Sequence, residues 1–173
     1  RAGGTSREYF SASTGIIGWR LPLEEMVASV PVLVGARRSD SLLDAARAIM
    51  TTDAFPKVRA ARLGDGRMVG IAKGAGMIEP NMATMLCFIL CDCAVDREEL
   101  RTMLPRCVEA SFNRISVDGD QSTSDMVLVL SSGRRGAVAP GAMESALLEV
   151  CRGLSEDVVR NGEGAGHVVR VTV

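Results

Sequence analysis

A mixed α/β fold, with layered sheets covered by helices, is what the sequence predicts. Three observations carry it: a β-hairpin signal between Lys57 and Lys73, two apolar runs that read as buried strands (Met85 to Cys91 and Met126 to Leu130), and a stretch of helical period after each run. At 173 residues the chain fits one domain or a slice of a larger one, and its 47% hydrophobic content suffices for a substantial core.

Taken in order, Pro22 followed by Leu23, Glu24 and Glu25 has the form of a helix start, with carboxylates near the positive end of the dipole, and a short helix is expected. Asp40 or Ser41 can cap a second helix, in which Leu42, Ala46, Ile49 and Met50 recur at helical spacing before the polar stop Thr51, Thr52, Asp53. Alternating segments flank Gly64, Asp65 and Gly66, with glycine where positive φ is needed, so Lys73 falls at a strand end. The run after position 84 is apolar at both parities, as in a central strand covered on both faces. Asp96 with Glu99 resembles a capping box opening a helix with the stripe Leu100, Met103, Leu104, Cys107, Val108, Ser111 and Phe112. Pro105 inside that stripe predicts a kink or a break. A polar loop from Asp118 to Asp125 reads as a series of Asx turns and not as a metal loop. Strand Met126 to Leu130 follows, then a helix from Met143 to Val158 ended by Asn161 and Gly162, and His167 to Val173 reads as a last strand.

Charge and composition exclude several classes. Lysine and arginine number 20 and the acids 21, a formal net charge of -1, with no run of like charge to track a phosphate backbone, so nucleic acid is not expected as a partner. The longest apolar run is far below the roughly 20 residues that cross a bilayer, so a soluble chain with no membrane partner is expected. No charged-then-apolar leader opens the chain, which starts at Arg1, and targeting information could have been lost with either end. Five cysteines, an odd count without scaffold spacing, suit a reducing compartment, either bacterial cytoplasm or mitochondrial matrix. Cys87, Cys91 and Cys93 share one strand parity and lack a second pair or a nearby histidine. They read as small core residues rather than metal ligands, and no metal or cofactor is expected.

The segment KGAGMIEPNMATML, Lys73 to Leu86, places two glycines, a proline and an asparagine beside a hydroxyl at the mouth of a buried strand. A tight turn there can hold the Ala83 carbonyl against the Thr84 hydroxyl, an arrangement that favours self-cleavage. By spacing alone it reads rather as a glycine loop leading a β-branched residue into a strand.

That segment resembles the processing site of the ornithine acetyltransferase family, whose precursor cuts itself between alanine and threonine. Three further stretches resemble the family in the same order: STGIIG (Ser13 to Gly18), IMTTDAFPK (Ile49 to Lys57) and DGDQSTSDMVLVLSSG (Asp118 to Gly133), followed by NGEGAGH before the end. The resemblance implies an α/β/β/α sandwich and a cut at Ala83/Thr84. Residues 1–83 would then close the α chain and residues 84–173 open the β chain. It implies Thr84 as nucleophile, with its freed α-amino group, of pKa about 8, as adjacent base. It implies Thr14 and Gly15 as the oxyanion hole, and Thr51, Lys73, Thr84 and Glu163 as substrate-binding residues. The activity implied is a ping-pong transfer of acetyl from N-acetylornithine to glutamate through an acetyl-threonine ester, with acetyl-CoA as a second donor in some members. Protomers of α and β chains would pair into a heterotetramer.

Without the family, Lys73 reads as solvated at a strand end, Thr51 as a local cap, Glu163 as an exposed loop residue, and Thr14 with Gly15 as an ordinary turn. Family members are longer than this chain, and further substrate-binding residues lie near their carboxy terminus. Two other readings stand beside the acetyltransferase: a self-cleaving amidohydrolase of the aminopeptidase type, which would deliver acyl groups to water, and a truncated, non-catalytic piece.

Overall fold

The computed structural model describes residues 5, 9–16, 18–37, 41–78, 85–120 and 122–172. Two helices, α1 (Leu23–Gly35) and α2 (Leu43–Ala48), precede strands β1 (Lys57–Leu63), β2 (Gly66–Lys73) and β3 (Leu86–Ala94). Helix α3 (Arg97–Glu109), a 3-10 turn at Phe112–Arg114, strand β4 (Met126–Ala137) and helix α4 (Pro140–Arg160) complete the order. The strands form one sheet in the order β1-β2-β3-β4, antiparallel until β3 and β4, which run parallel across the α3 connection. This mixed α/β architecture is compatible with the expected sandwich; the described residues contribute one sheet, covered by helices on one face.

The hairpin follows the sequence. Gly64 and Asp65 form a two-residue turn between paired Leu63 and Gly66, and Gly64 takes φ 59°, which costs glycine little. Alternation in β3 turns Cys87, Ile89, Cys91 and Cys93 toward a core that includes Met103 and Cys107 of α3 and Leu147, Val150, Cys151 and Leu154 of α4. A fully buried leucine such as Leu147 or Leu154 stabilises by about 1.5–3 kcal/mol. The spacing of α4 over the sheet is set at Gly70: a Cβ there would lie 2.7 Å from Val150 Cγ1 and 2.8 Å from Leu154 Cδ1. All five cysteines are buried and free; for Cys87, Cys91 and Cys93 the burial is the one their shared strand parity indicated, and burial pushes the Cys151 thiol up to about 12.

Several expectations change. Helix α1 runs 13 residues, past Pro31, and is not short. Asp96 caps α3 as expected, accepting from the N–H groups of Glu98 and Glu99, but the helix runs unbroken through Pro105. Proline there removes one intrahelical bond, while burial of Met103 and Cys107 on either side against the core keeps the helix docked. Strand β4 extends to Ala137 through a stretch without apolar alternation, because β3 continues beside it and register shifts at Cys91/Cys93 and Cys93/Ala94 absorb the extra residues. Only one face of β3 is covered among the described residues: Leu90, pointing away from the helices, is 39% exposed. Residues 167–172 form no strand, since valine-rich alternation gives strand propensity but not a ladder partner, and Val168, Val169 and Val171 stay exposed.

Candidate functional site

The end of the sheet where β2 stops and β3 starts gathers the polar groups that the sequence scatters over more than 100 residues. The antiparallel register pairs Lys73, the last residue of β2, with Leu86, the first of β3. Lys73 is 3% exposed, which corrects its reading as a solvated strand end. Burial lowers its pKa, the Asp53 and Asp125 carboxylates work against that, and Lys57 adds to it.

The polar stop after α2 folds back onto this end. Asp53 accepts hydrogen bonds from the Lys57 ammonium, from Gly74 N–H at 2.8 Å and from Thr51 N–H at 3.1 Å. Burial alone would push its carboxyl up, but these donors outweigh that and hold it below the usual carboxylate range. Asp53 and Lys57 side chains are both fully buried, with the ammonium 5.3 Å from the centre of the Phe55 ring. One carboxylate thereby locks the Thr51 turn to the exit of β2.

A second lock comes from the end of α4. Asn161 Oδ1 accepts from Ala54 N–H at 3.0 Å and Phe55 N–H at 3.1 Å, which fixes the orientation of the amide and leaves its Nδ2 buried without a partner. Glu163 N–H donates to the Ala75 carbonyl at 2.6 Å. Gly76 makes room here: a Cβ would sit 3.0 Å from Glu163 Oε2 and 3.4 Å from Asp118 Oδ2, so the Glu163 carboxylate would have to give way by a few tenths of an ångström. Asp118 accepts from Asp120 N–H, the Asx turn expected of it, and also from Met77 N–H and Ile78 N–H. These bonds pull its carboxyl below the usual range against the opposing effect of burial. Val117 N–H to the Ile78 carbonyl, 2.7 Å, completes the clamp on residues 74–78.

On the far side, β3 emerges at Met85. Its N–H donates to Asp125 Oδ1 at 2.7 Å, and its carbonyl accepts from Met126 N–H at 3.0 Å. Burial pushes the Asp125 carboxyl up to about 7, against the Met85 N–H and the charge of Lys73.

Of the residues singled out in the sequence, Thr51, Lys73 and Glu163 therefore meet at one mouth, joined through Asp53 and the 74–76 backbone. Thr14, half-buried, and Gly15, exposed, precede α1, and no hydrogen bond ties them to this cluster among the described residues. Ala83 and Thr84 lie outside the described residues. Sequence reasoning missed Asp53, Lys57, Asn161 and Asp125 as the framework of the mouth. Asp53 and Lys57, spaced i, i+4 around a loop rather than on a helix, were the one local signal available.

Fold and cluster together define an α/β protein with a buried lysine at a sheet mouth, flanked by a glycine-rich segment clamped on both sides. The chain belongs to the ArgJ family, whose model matches residues 1–173. It is 45% identical to "Arginine biosynthesis bifunctional protein ArgJ 2" of Nostoc sp., covering 94% of this chain and 42% of that protein. "Arginine biosynthesis bifunctional protein ArgJ" of Symbiobacterium thermophilum is 46% identical, with 94% and 43% covered, and that of Geobacter sulfurreducens 44%, with 100% and 47% covered. The chain thus spans less than half the length of the curated relatives it matches.

Proposed function

We propose that this chain carries the acyl-transfer centre of a glutamate N-acetyltransferase of arginine biosynthesis, moving acetyl from N-acetylornithine to glutamate. The observation that carries the reading is the buried Lys73, paired with the residue two positions after Thr84 and braced by Asp53. Both substrates bear an α-carboxylate beside the reacting nitrogen. A desolvated cation at the mouth fixes that carboxylate, and the same anchor serves donor and acceptor in turn, as a ping-pong cycle requires.

In this reading the Ala83–Thr84 bond is cut first. The freed Thr84 amino group then takes the hydroxyl proton as the oxygen attacks the acetyl carbon, and ornithine leaves an acetyl ester on Thr84 that glutamate resolves. Thr14 and Gly15 supply donors to the developing oxyanion, a contribution of about 100-fold or more per donor. Thr51 and Glu163 line the substrate, and acetyl-CoA serves as an alternative donor. The cut would separate residues 1–83 from 84–173 while β2 and β3 stay paired from Met68/Cys91 to Lys73/Leu86, so the two chains remain one body, and two such bodies pair as a heterotetramer. Homology to bacterial proteins favours the cytoplasm over an organelle.

The test is the intact mass of the full-length protein beside Thr84→Ala, followed by transfer of labelled acetyl. Two fragments meeting at Ala83/Thr84 in the parent only, with acetyl appearing on glutamate, are the expected outcome. Acetyl released as acetate with none on glutamate would instead make the protein an amidohydrolase.

A further inference from the structure

We infer that Asp53 is a positioning residue for the amino-acid substrates: its two carboxylate oxygens set the gap between the Thr51 turn and the end of β2, so that Thr51 and Lys73 reach one ligand together. The inference rests on the acyl-transfer reading and deepens it.

The two oxygens hold different segments. Asp53 Oδ2 accepts from Thr51 N–H at 3.1 Å. Oδ1 accepts from Gly74 N–H at 2.8 Å, one residue past Lys73, and from the Lys57 ammonium. Thr51 is exposed at the mouth, whereas the Asp53 and Lys57 side chains are fully buried, so Asp53 acts through Thr51 and Lys73 and not by touching a ligand. The turn has another support for its own shape, since Asn161 holds it at Ala54 and Phe55 from the end of α4. Burying an ion pair is costly, and apolar side chains of similar volume often serve stability as well or better. What the buried pair adds to the Asn161 lock is a tie to the exit of β2.

An asparagine cannot do the same work. Its single amide oxygen accepts for one segment, while its NH2 group meets the N–H of the other, donor against donor. Charge supports the same assignment. The Asp53 anion favours the Lys73 ammonium, the Lys57 cation opposes it, and Asp125, just before β4, favours it. Of the other elements around this end, β3 sets Leu86 opposite Lys73, and the Glu163 and Asp118 carboxylates face Gly76. Asp53 thereby fixes both the place of the cation and the charge beside it, and a substrate carboxylate meets a cation and a hydroxyl at a set spacing.

The experiment measures kcat and KM for N-acetylornithine and for glutamate in the full-length protein, as parent, Asp53→Asn and Lys57→Met, with rates taken per self-cleaved molecule counted by intact mass. Loss of an anchor shared by both substrates acts on both half-reactions. We expect Asp53→Asn to raise the two KM values together by about 10- to 100-fold, with kcat within about threefold of the parent. Lys57→Met keeps the carboxylate for Thr51 N–H and Gly74 N–H, and it carries the test if the asparagine variant fails to fold or to cut. Without the Lys57 cation Lys73 keeps its proton to higher pH, so the basic limb of kcat/KM for N-acetylornithine moves upward, whereas Asp53→Asn moves it downward. Unchanged KM values with a fallen kcat in Asp53→Asn, or a Lys57→Met limb that coincides with the parent's, overturn the inference, because a merely structural defect lowers the number of working molecules and moves neither. A folded parent that transfers no acetyl sinks the acyl-transfer reading itself, and this inference with it.

Discussion

Helices α1 and α4 are both rich in apolar residues, yet none of the 13 residues of α1 is buried while α4 buries Met143, Leu147, Val150, Leu154 and Val158 along one stripe. The difference is not periodicity. In α4 the apolar positions recur every three or four residues, and in α1 Leu23, Met26, Val27, Val30 and Leu33 do the same, with Glu24, Glu25 and Ser29 off that face and Val32 alone pointing away from it. What differs is the surface: α4 lies on β1 and β2, whereas among the described residues the α1 stripe stays exposed. Docking therefore needs an apolar stripe and a surface to receive it, and the stripe alone does not suffice.

Substitutions can break or sharpen that contrast. The largest loss should come from Asp53→Ala, which strands the fully buried Lys57 ammonium: about 3–5 kcal/mol in urea unfolding is expected. A loss under about 1 kcal/mol would mean that water already reaches the pair. Leu154→Ala should cost about 2–5 kcal/mol, depending on how far α4 settles into the space. Next, Asn161→Ala leaves the Ala54 and Phe55 N–H groups without their acceptor, an expected loss of about 1–3 kcal/mol by the same assay.

A smaller effect, readable in the melting temperature, concerns pH. The Asp125 carboxyl sits at about 7 when folded against 3.8 as its ordinary value, so the folded state binds the proton more tightly. Its ionisation therefore removes stability as pH climbs from about 4 to 7. Asp125→Asn should gain on the parent across that window, and a constant difference between the two would show that the carboxyl does not titrate there. Asp53 has the opposite sign: its contribution is present above the ordinary carboxyl range and lost only as pH falls through its depressed value. The smallest effect belongs to α1, where Val27→Ser should stay within about 0.5 kcal/mol in this chain. A larger change would reveal that α1 is docked after all.

Local chemistry was legible in the sequence, and long-range pairing was not. Gly64 and Asp65 announce their turn, Asp96 its cap and Asn161 the end of α4, because each acts on residues within a few positions. Pro105 misleads for the converse reason: its penalty is local and fixed, whereas the packing that offsets it comes from a helix some 40 residues away. The polar half of β4 has no pattern of its own and borrows its conformation from β3. At the mouth, Thr51, Lys73 and Glu163 came from family motifs rather than from spacing, which had left Lys73 in water. Beside it stand Asp53 and Lys57, whose pairing no periodicity encodes. Asn161 could be read as a helix stop, but its grip on Ala54 and Phe55 spans 107 and 106 residues.

The bond between Met85 and Asp125 also sets an order of events during synthesis. Both groups that hold Met85, the Asp125 carboxylate and the Met126 N–H, lie about 40 residues downstream, beyond α3. At the usual 5–20 residues per second, a ribosome needs roughly 2–8 s to deliver them after Met85 itself has been made. Until then the start of β3 has its antiparallel partner but not its parallel one. Any chemistry that depends on a fixed Met85 must wait for that delivery, so a chain stalled or truncated before Asp125 leaves the start of β3 without the two groups that hold Met85.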